Sequence, residues 1–378
     1  MNRQHEPMRQ VYRVRLRTLS PLHIGSGTEL RRGYDYICDD QRTYVLHEER
    51  LFERLAGNAQ ALTALAAGAS ADELLQRRWL RWQDLQGEGA PVRYVLPGVP
   101  VGAAGNPAAL REQIKDVYDR PYVPGSSLKG ALRTALLVEW RRQHKGQVLR
   151  EELGRNKQSA ARALEKEAFG PDPNHDVLRA LQVGDSEPAA NDCLQLAQVR
   201  VYPGGGRGAR QTLDINVECV RAGTELSLEV RLDLQWLHRD DNGLADASGW
   251  ERLLRDLPRL LRNKATLVLR RETAFYRGRA DAAAVGAFYT RLGQAHTGMK
   301  SSQRALVPVG WGSGWEAKTL GADALESGGI LEAVIQEYGL ARGSRKEDDP
   351  FPKSRKLALQ GERPASPLGW LEATFAPG

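Results

Sequence analysis

The chain has 378 residues, of which 41% are hydrophobic and 27% are charged. This composition excludes a wholly disordered protein, and the length exceeds what one hydrophobic core usually supports, so we expect two domains. A formal net charge of +7 favours polyanionic partners, although many ordinary proteins carry a similar excess.

The first predicted element is a strand with one arginine face. Apolar and basic side chains alternate in the order Tyr12, Arg13, Val14, Arg15, Leu16 and Arg17. A period of two is typical of a strand with one buried face. The arginines therefore lie either on a solvated sheet face or on a surface that contacts phosphates.

A turn-rich loop over 20–28 follows this strand and contains the sequence Pro21-Leu22-His23-Ile24-Gly25-Ser26-Gly27. Glycine lets the backbone approach a ligand closely, so His23, Gly25, Ser26 and Gly27 are candidate nucleic-acid contacts. The segment lacks the GxGxxG spacing of a dinucleotide site. A structural role for His23 is favoured over catalysis.

Short strands and then helices are expected in the next part of the chain. The strands are predicted at 34–37 and 43–46, and the helices at 48–56, 59–67 and 71–82, which are rich in Ala, Leu, Glu and Arg. Glycine and proline interrupt residues 87–107, which indicates an irregular insertion or a mobile hairpin.

The segment Tyr122-Val123-Pro124-Gly125-Ser126-Ser127-Leu128-Lys129-Gly130-Ala131-Leu132-Arg133 predicts a tight turn at Gly125 and then a long helix to about residue 143. Ser126 or Ser127 would cap the helix, whose free N–H groups suit a phosphate. Lys129 and Arg133 are four residues apart and lie on one flank of the helix. They either bind phosphate or are solvated charges of an ordinary amphipathic helix.

A charged segment over 151–168 extends the helical region, and the glycine-rich residues 202–208 form either a domain boundary or a flexible RNA-contacting loop. Beyond them, residues 213–220 and 225–234 are predicted to pair as a hairpin. Helices are expected at 250–261, 281–292 and 331–338, and closing strands at 357–359 and 370–375. The predicted class is α+β, with domains at 1–210 and 211–378.

A third glycine loop, Gly310-Trp311-Gly312-Ser313-Gly314-Trp315-Glu316-Ala317-Lys318-Thr319, mixes tryptophan with cations. Base stacking on Trp311 and a phosphate contact from Lys318 would explain the loop, with Gly312 and Gly314 allowing close approach. Alternatively, the tryptophans support a turn from the core. The basic tail segment adds Lys353 and Arg355 to the candidate RNA contacts, or is simply solvated.

The sequence predicts no metal, no cofactor and no membrane segment. Only Cys38, Cys193 and Cys219 are present, too widely separated for a disulfide framework or a CxxC zinc site. The first residues lack the apolar core of a secretory signal, and no apolar stretch reaches membrane-spanning length. We therefore expect a cytoplasmic protein.

The glycine segments at 21–27, 122–136 and 310–319, taken together, resemble the RAMP superfamily of CRISPR proteins. With the tail segments 351–355 and 367–370, they most resemble the family of fifth-named subunits of type III-A Csm complexes. The resemblance implies two ferredoxin-like domains with helical and loop insertions. It also implies a non-catalytic, crRNA-binding subunit that caps the backbone filament near the crRNA 3′ end and supports crRNA maturation and antiviral defence.

The partners implied by this resemblance are crRNA, the backbone RAMP subunits and the small subunit of the Csm complex, target RNA, and host nucleases that trim crRNA. One alternative remains open. Asp35 follows the first glycine turn roughly where the related backbone subunits carry a target-cleaving aspartate, which would make the chain a metal-dependent ribonuclease. Residues 51–107 and 149–190 resemble nothing specific, and their roles are open.

Overall fold

The computed structural model describes residues 8–102, 108–203, 214–239, 244, 246–299, 302–327, 329–341 and 349–378. Its strands are β1 (Arg9–Thr18), β2 (Gly25–Arg31), β3 (Tyr36–Cys38), β4 (Arg42–Leu46), β5 (Val92–Pro97), β6 (Ala109–Gln113), β7 (Leu181–Val183), β8 (Leu194–Pro203), β9 (Ile215–Val220), β10 (Glu225–Asp233), β11 (Arg304–Pro308), β12 (Ser354–Gln360), β13 (Arg363–Ser366) and β14 (Trp370–Pro377). Its α-helices are α1 (Glu48–Leu55), α2 (Ala59–Ala66), α3 (Ala71–Gln76), α4 (Gly125–His144), α5 (Arg162–Phe169), α6 (Ala247–Leu254), α7 (Leu257–Tyr276), α8 (Ala283–Thr297), α9 (Trp315–Lys318), α10 (Ala322–Ser327) and α11 (Leu331–Glu337).

The first sheet is antiparallel, with the order β11-β14-β1-β10-β7. Four of its strands and two helices form a ferredoxin-like βαββαβ unit. When β1, β7, β10 and β14 are numbered 1 to 4 along the chain, their order in the sheet is 4-1-3-2, and α4 and α7 are the connecting helices. The alternation of β1 turns Val14 and Leu16 into the core that contains Leu132 and Leu260 of the two helices.

Two further sheets complete the fold. The second has the order β13-β12-β8-β9-β6-β2 and contains one parallel pair, β6 with β9. The third is the antiparallel β3-β4-β5. Together with α1–α3 it encloses a small core of its own, in which Ile37, Leu51 and Leu74 are buried. Residues 51–97, whose role the sequence left open, therefore belong largely to a compact subdomain.

The predicted α+β class is confirmed, and the ferredoxin strand order is found in the first sheet. That sheet combines strands from both sides of residue 210. The proposed boundary falls in residues 204–213, which lie outside the described part of the chain, as does most of the glycine-rich segment. A second ferredoxin-like unit and the division at residue 210 stay predictions.

The predicted hairpin over 213–234 is wrong. β9 pairs with β8 and β6 in the second sheet, whereas β10 pairs with β1 and β7 in the first. The turn between them is held by both sheets, since Thr18 N–H donates to Thr224 O at 2.9 Å and Arg221 N–H donates to Cys193 O at 2.9 Å. Local turn residues do not reveal which sheet each strand joins.

Other predicted elements differ in extent. Residues 87–107 contain the regular strand β5, which pairs with β4, and β2 begins inside the predicted turn, at Gly25. The helix predicted over 151–168 begins only at Arg162. Conversely, the helix expected to end at residue 261 is two helices, of which α7 continues to Tyr276.

Candidate nucleic-acid interface

The turn after β1 and the loop after β11 meet at the surface. Trp311 N–H donates to His23 O at 2.7 Å, and the two rings stand edge to face with centroids 5.7 Å apart. Gly310 has φ 76°, and a Cβ there would lie 2.5 Å from His23 O, so the contact requires glycine. Two glycine segments that the sequence offered separately therefore form one site.

Two cations contact the ring of Trp311, and a third, Lys318, lies near one of them, Lys356. The guanidinium carbon of Arg111 and the ammonium of Lys356 each lie 5.1 Å from the ring centroid, and Lys318 is exposed at the end of α9. Arg111 is paired with Glu29 at 3.2 Å. Lys318 and Lys356 have no ion pair within the described residues. We call Arg111, Trp311, Lys318 and Lys356 the Trp311 cluster.

The electrostatics of this cluster suit an anion. Burial, with the neighbouring charge of Lys356, lowers the pKa of Lys318, and burial with the charge of Arg111 lowers the pKa of Lys356. Partly desolvated like charges repel one another. A bound phosphate would offset that repulsion and accept charge-assisted hydrogen bonds.

His23 is buried, which changes its predicted role. The residue is only 2% exposed, and Nδ1 lies 2.6 Å from Glu218 O. Burial lowers the pKa of His23 to about 4, despite the raising effect of the bond to Glu218, and the charges of Arg111 and Lys115 lower it further. The predicted RNA contact by this side chain is therefore wrong, because the neutral ring holds the turn from inside.

The rest of the turn is accessible. Gly25, Ser26 and Gly27 are exposed at the beginning of β2, and Ser26 Oγ donates to Glu112 Oε2 at 2.9 Å. Gly27 has φ 96° with nothing near its Cβ position. In the loop after β11, Gly312 and Gly314 also have positive φ and are half-buried. These glycines leave the backbone on both sides of Trp311 open to a ligand.

The arginine face of β1 is exposed as predicted. Arg13, Arg15 and Arg17 alternate with the buried core residues of the strand. Acidic residues lie opposite, because the register pairs Arg13 with Glu229 and Arg17 with Glu225. Arg15 is 3.9 Å from Glu225, a contact too loose and exposed to contribute much stability. This face has mixed charge and remains a candidate for phosphate contact.

The structure disfavours the phosphate site predicted at the beginning of α4, which stays a prediction. The helix begins at Gly125, after Pro124, without a serine cap. Gly125 N–H donates to Asp185 Oδ1 at 2.7 Å, so a carboxylate occupies the position that an anion would take. Gly125 is needed because a Cβ there would lie 2.2 Å from Val183 O. Ser126 is exposed and Ser127 is half-buried.

Lys129 and Arg133 stabilise the fold through contacts with neighbouring segments. Lys129 Nζ donates to Leu178 O at 2.9 Å, and burial lowers its pKa. Arg133 pairs with Asp176 at 2.8 Å and with Glu165 at 3.1 Å. Neither cation is simply a solvated charge of the helix flank, and a phosphate contact by either stays a prediction.

The tail places one predicted cation inside the protein. Arg355 pairs with Glu272, and both side chains are at most 9% exposed, so the predicted RNA contact by Arg355 is wrong. Lys353 pairs with Asp349 at 3.0 Å. The sequence analysis missed Lys356 and Arg111. The alternation of β12 sends Arg355 and Lys356 to opposite faces, but the sequence does not show which face is buried.

The side chain of Asp35 stabilises a turn. Its Oδ2 accepts a hydrogen bond from Arg31 N–H at 2.7 Å, and Arg31 Nε lies 3.5 Å from the same oxygen. Across the described ranges, no three His, Cys, Asp or Glu side chains are grouped as metal ligands would be. Within the same ranges, no helix is both long and apolar enough to cross a membrane.

The profile of the RAMP superfamily matches residues 15–269. Since this is more than half of the chain, the chain belongs to the RAMP superfamily.

Within that superfamily, two similar proteins are named Csm5. The chain is 24% identical to CRISPR system Cms protein Csm5 of Streptococcus thermophilus over 58% of this chain and 64% of that protein, slightly less than two thirds of its length. It is 25% identical to the protein of the same name from Mycobacterium tuberculosis, over 85% and 86% of the two chains.

Two solved structures are similar over nearly the whole chain. One is a chain of the cryo-EM structure of a Csm–crRNA–target RNA ternary complex from a type III-A CRISPR-Cas system, with 25% identity, a TM-score of 0.70, and coverage of 97% of this chain and 100% of that one. The other is the crystal structure of T. onnurineus Csm5, with 25% identity, a TM-score of 0.64, and coverage of 94% and 99%. The similarity to Csm5 predicted from the sequence is confirmed.

Proposed function

We propose that the chain is a non-catalytic, crRNA-binding subunit of a type III-A CRISPR-Cas (Csm) interference complex. In this role it caps the backbone filament near the crRNA 3′ end and supports crRNA maturation and antiviral defence. Whole-chain similarity to Csm5 and to a chain of a Csm–crRNA–target RNA complex supports the assignment.

The Trp311 cluster is the observation that carries RNA binding. An indole in contact with Arg111 and Lys356, with Lys318 close to Lys356, offers a stacking platform and phosphate contacts at one place. The exposed backbone of Gly25–Gly27 lies beside it through the contact of Trp311 with His23. Such a site binds single-stranded RNA with little sequence preference, which suits a subunit that must accept different guide sequences.

The proposed partners are crRNA, target RNA, the backbone RAMP subunits and the small subunit, with host nucleases trimming the crRNA. The cytoplasm is the proposed location. A non-catalytic role is favoured over the ribonuclease alternative because the carboxylate of Asp35 already accepts the backbone N–H of Arg31. A general base or metal ligand would need that oxygen for chemistry.

Reconstitution of the complex with and without this chain tests the proposal. We expect crRNA of altered length without the chain, and restoration on adding it but not on adding a variant with Lys318→Glu and Lys356→Glu. Identical crRNA lengths in all three preparations would contradict the capping role. Incubation of the purified chain with precursor crRNA and Mg²⁺ tests catalysis, and Mg²⁺-dependent cleavage that is lost in Asp35→Ala would favour the ribonuclease.

A further inference from the structure

A groove of about 780 Å³ lies between α4, α5 and the α9–α11 region. We call it the α5 groove. One wall belongs to residues 153–176, a region to which the sequence assigned no role, and the opposite wall includes Trp315, Lys318 and Tyr338. Its volume is in the range of about 300–1,000 Å³ that is typical of ligand pockets. The groove brings together Arg133 and Lys318, two predicted contact residues far apart in sequence.

The rim of the groove carries unbalanced positive charge. Its cations Lys157, Arg162, Lys166 and Lys318 are all exposed, and none of them has an ion pair within the described residues. The acids of the rim are already engaged: Glu165 and Asp176 pair with Arg133, and Asp172 pairs with His175. The four unpaired cations outnumber these three acids, two of which share Arg133, so the rim keeps a net positive charge.

The lining below this rim is largely apolar and includes an aromatic surface. Leu137, Leu153 and Leu320 line the groove beside the half-buried Trp315. Trp315 is held in place by an edge-to-face contact with Phe351 at 4.9 Å, so its indole is presented without much loss of side-chain freedom. Stacking of a base on such an aromatic side chain contributes about 1–3 kcal/mol per base.

The α5 groove and the Trp311 cluster share Lys318. Lys318 belongs to the rim of the groove, and its pKa is lowered by burial and by the charge of Lys356 in the cluster. Only three residues lie between the two tryptophans that would stack bases, Trp311 and Trp315. Both sites thus offer the same chemistry along one path.

We propose that the α5 groove binds unpaired nucleotides of the RNA that occupies the Trp311 cluster, with bases against Trp315 and phosphates on Lys157, Lys166 and Lys318. This inference rests on the proposed RNA-binding function and extends it to a second, separately testable segment of the path. It assigns RNA binding to the region around α5.

The test compares RNA length dependence in the full-length chain. Labelled single-stranded oligonucleotides of about 4 to about 16 nucleotides cover the usual site sizes of single-strand-binding folds. We expect wild-type affinity to rise with length until both sites are filled. The variant Lys157→Glu with Lys166→Glu should keep wild-type affinity for the shortest bound RNA but reach its plateau at a shorter length. Its salt slope for long RNA should be lower by about 1.4, for two lost phosphates.

The matched control is Arg50→Glu with Arg291→Glu, which makes the same change in charge. These two arginines are exposed on α1 and α8, and neither has an ion pair within the described residues. It should behave like wild type. Equal length dependence in the groove variant and the control would overturn the inference. Absence of RNA binding by wild type at every length would instead overturn the proposed function.

Two competitors identify the ligand in the groove. Adenosine monophosphate that removes the length effect as effectively as longer RNA would indicate a free-nucleotide site and overturn the RNA assignment. A polyglutamate peptide with the same effect would indicate an acidic-peptide site and also overturn it. We expect neither competitor to act at concentrations at which unlabelled single-stranded RNA competes fully.

Discussion

Arg355 Nε lies 2.8 Å from Glu272 Oε1 and 2.9 Å from Oε2, and both side chains are almost fully excluded from solvent. The pair joins β12 to α7. Two turns earlier on α7, Lys264 Nζ donates to Thr319 O at 2.7 Å, next to Lys318. One helix of the ferredoxin-like unit therefore holds both segments that supply lysines to the Trp311 cluster.

Replacing one member of the buried pair should strongly destabilise the fold. Glu272→Gln leaves the Arg355 charge buried without a counter-ion, and we expect a loss of about 3–5 kcal/mol in the free energy of unfolding. Chemical denaturation measures it. The double variant Glu272→Met with Arg355→Met should recover most of the loss, because no charge then remains buried. A single variant as stable as wild type would contradict the structural role of Arg355.

The Trp311 cluster should account for part of the salt dependence of RNA binding. Lys318→Ala with Lys356→Ala should weaken binding to single-stranded RNA of any sequence and reduce the salt slope by about 1.4. Fluorescence anisotropy at several salt concentrations measures both quantities. Arg50→Ala with Arg291→Ala serves as control. An unchanged slope in the cluster variant would mean that these lysines are only solvated.

The double substitution Lys129→Glu with Arg133→Glu should lower stability. It removes the contact to Leu178 O and places two carboxylates near Glu165 and Asp176, at a cost of about 1–3 kcal/mol for each broken interaction. Thermal unfolding measures the change. Arg162→Glu with Lys166→Glu, on exposed positions of α5, should unfold near the wild-type temperature. A wild-type midpoint for the α4 variant would restore these cations as candidate RNA contacts.

His23 should make stability depend on mildly acidic pH. Its pKa is about 4 in the folded chain against an ordinary value of 6.5, so the unfolded chain binds the proton first. The contribution is complete above about pH 6.5 and falls progressively toward pH 4, by an amount on the order of 3 kcal/mol. Unfolding of wild type and His23→Gln across this range measures it. Parallel pH profiles of the two proteins would refute the effect.

Asp35→Ala should leave target-RNA cleavage by the assembled complex intact. The carboxylate accepts the Arg31 backbone N–H in an exposed turn, so we expect only a loss of about 1 kcal/mol in stability. Mapping of the cleavage products of a labelled target RNA checks the prediction. Loss of one cleavage position in a correctly assembled complex would favour the ribonuclease alternative.

Periodicity predicted those parts of the fold that depend on local pattern. β1 and α4 follow from alternating and helical spacing of apolar residues, and both are found close to the predicted bounds. The pairing of β9 and β10 with different sheets could not be predicted from local pattern. β10 pairs with β1, which lies more than 100 residues earlier in the sequence, whereas β9 pairs with β8. The compact subdomain was missed in part because β5 lies among turn residues.

The glycine segments of the site could be found from the sequence, but the contact between them, Gly310 against His23, could not. The site was not predictable where tertiary neighbours determine whether a charged side chain is buried or exposed. Arg355 and Lys356 are adjacent in sequence, yet one is buried against Glu272 and the other faces Trp311. Arg111 carries no motif at all, and only the placement of β6 brings it to the indole.

The position of β1 in the centre of its sheet governs how the chain folds during synthesis. Both neighbours of β1 are translated more than 200 residues later, whereas β3, β4 and β5 form their sheet within residues 36–97. The small subdomain can fold first, whereas both edges of β1 remain unpaired until β10 and β14 have been synthesised. Unpaired strand edges promote aggregation. The exposed arginines of this unpaired strand, Arg13, Arg15 and Arg17, carry like charges that oppose its association with other nascent chains.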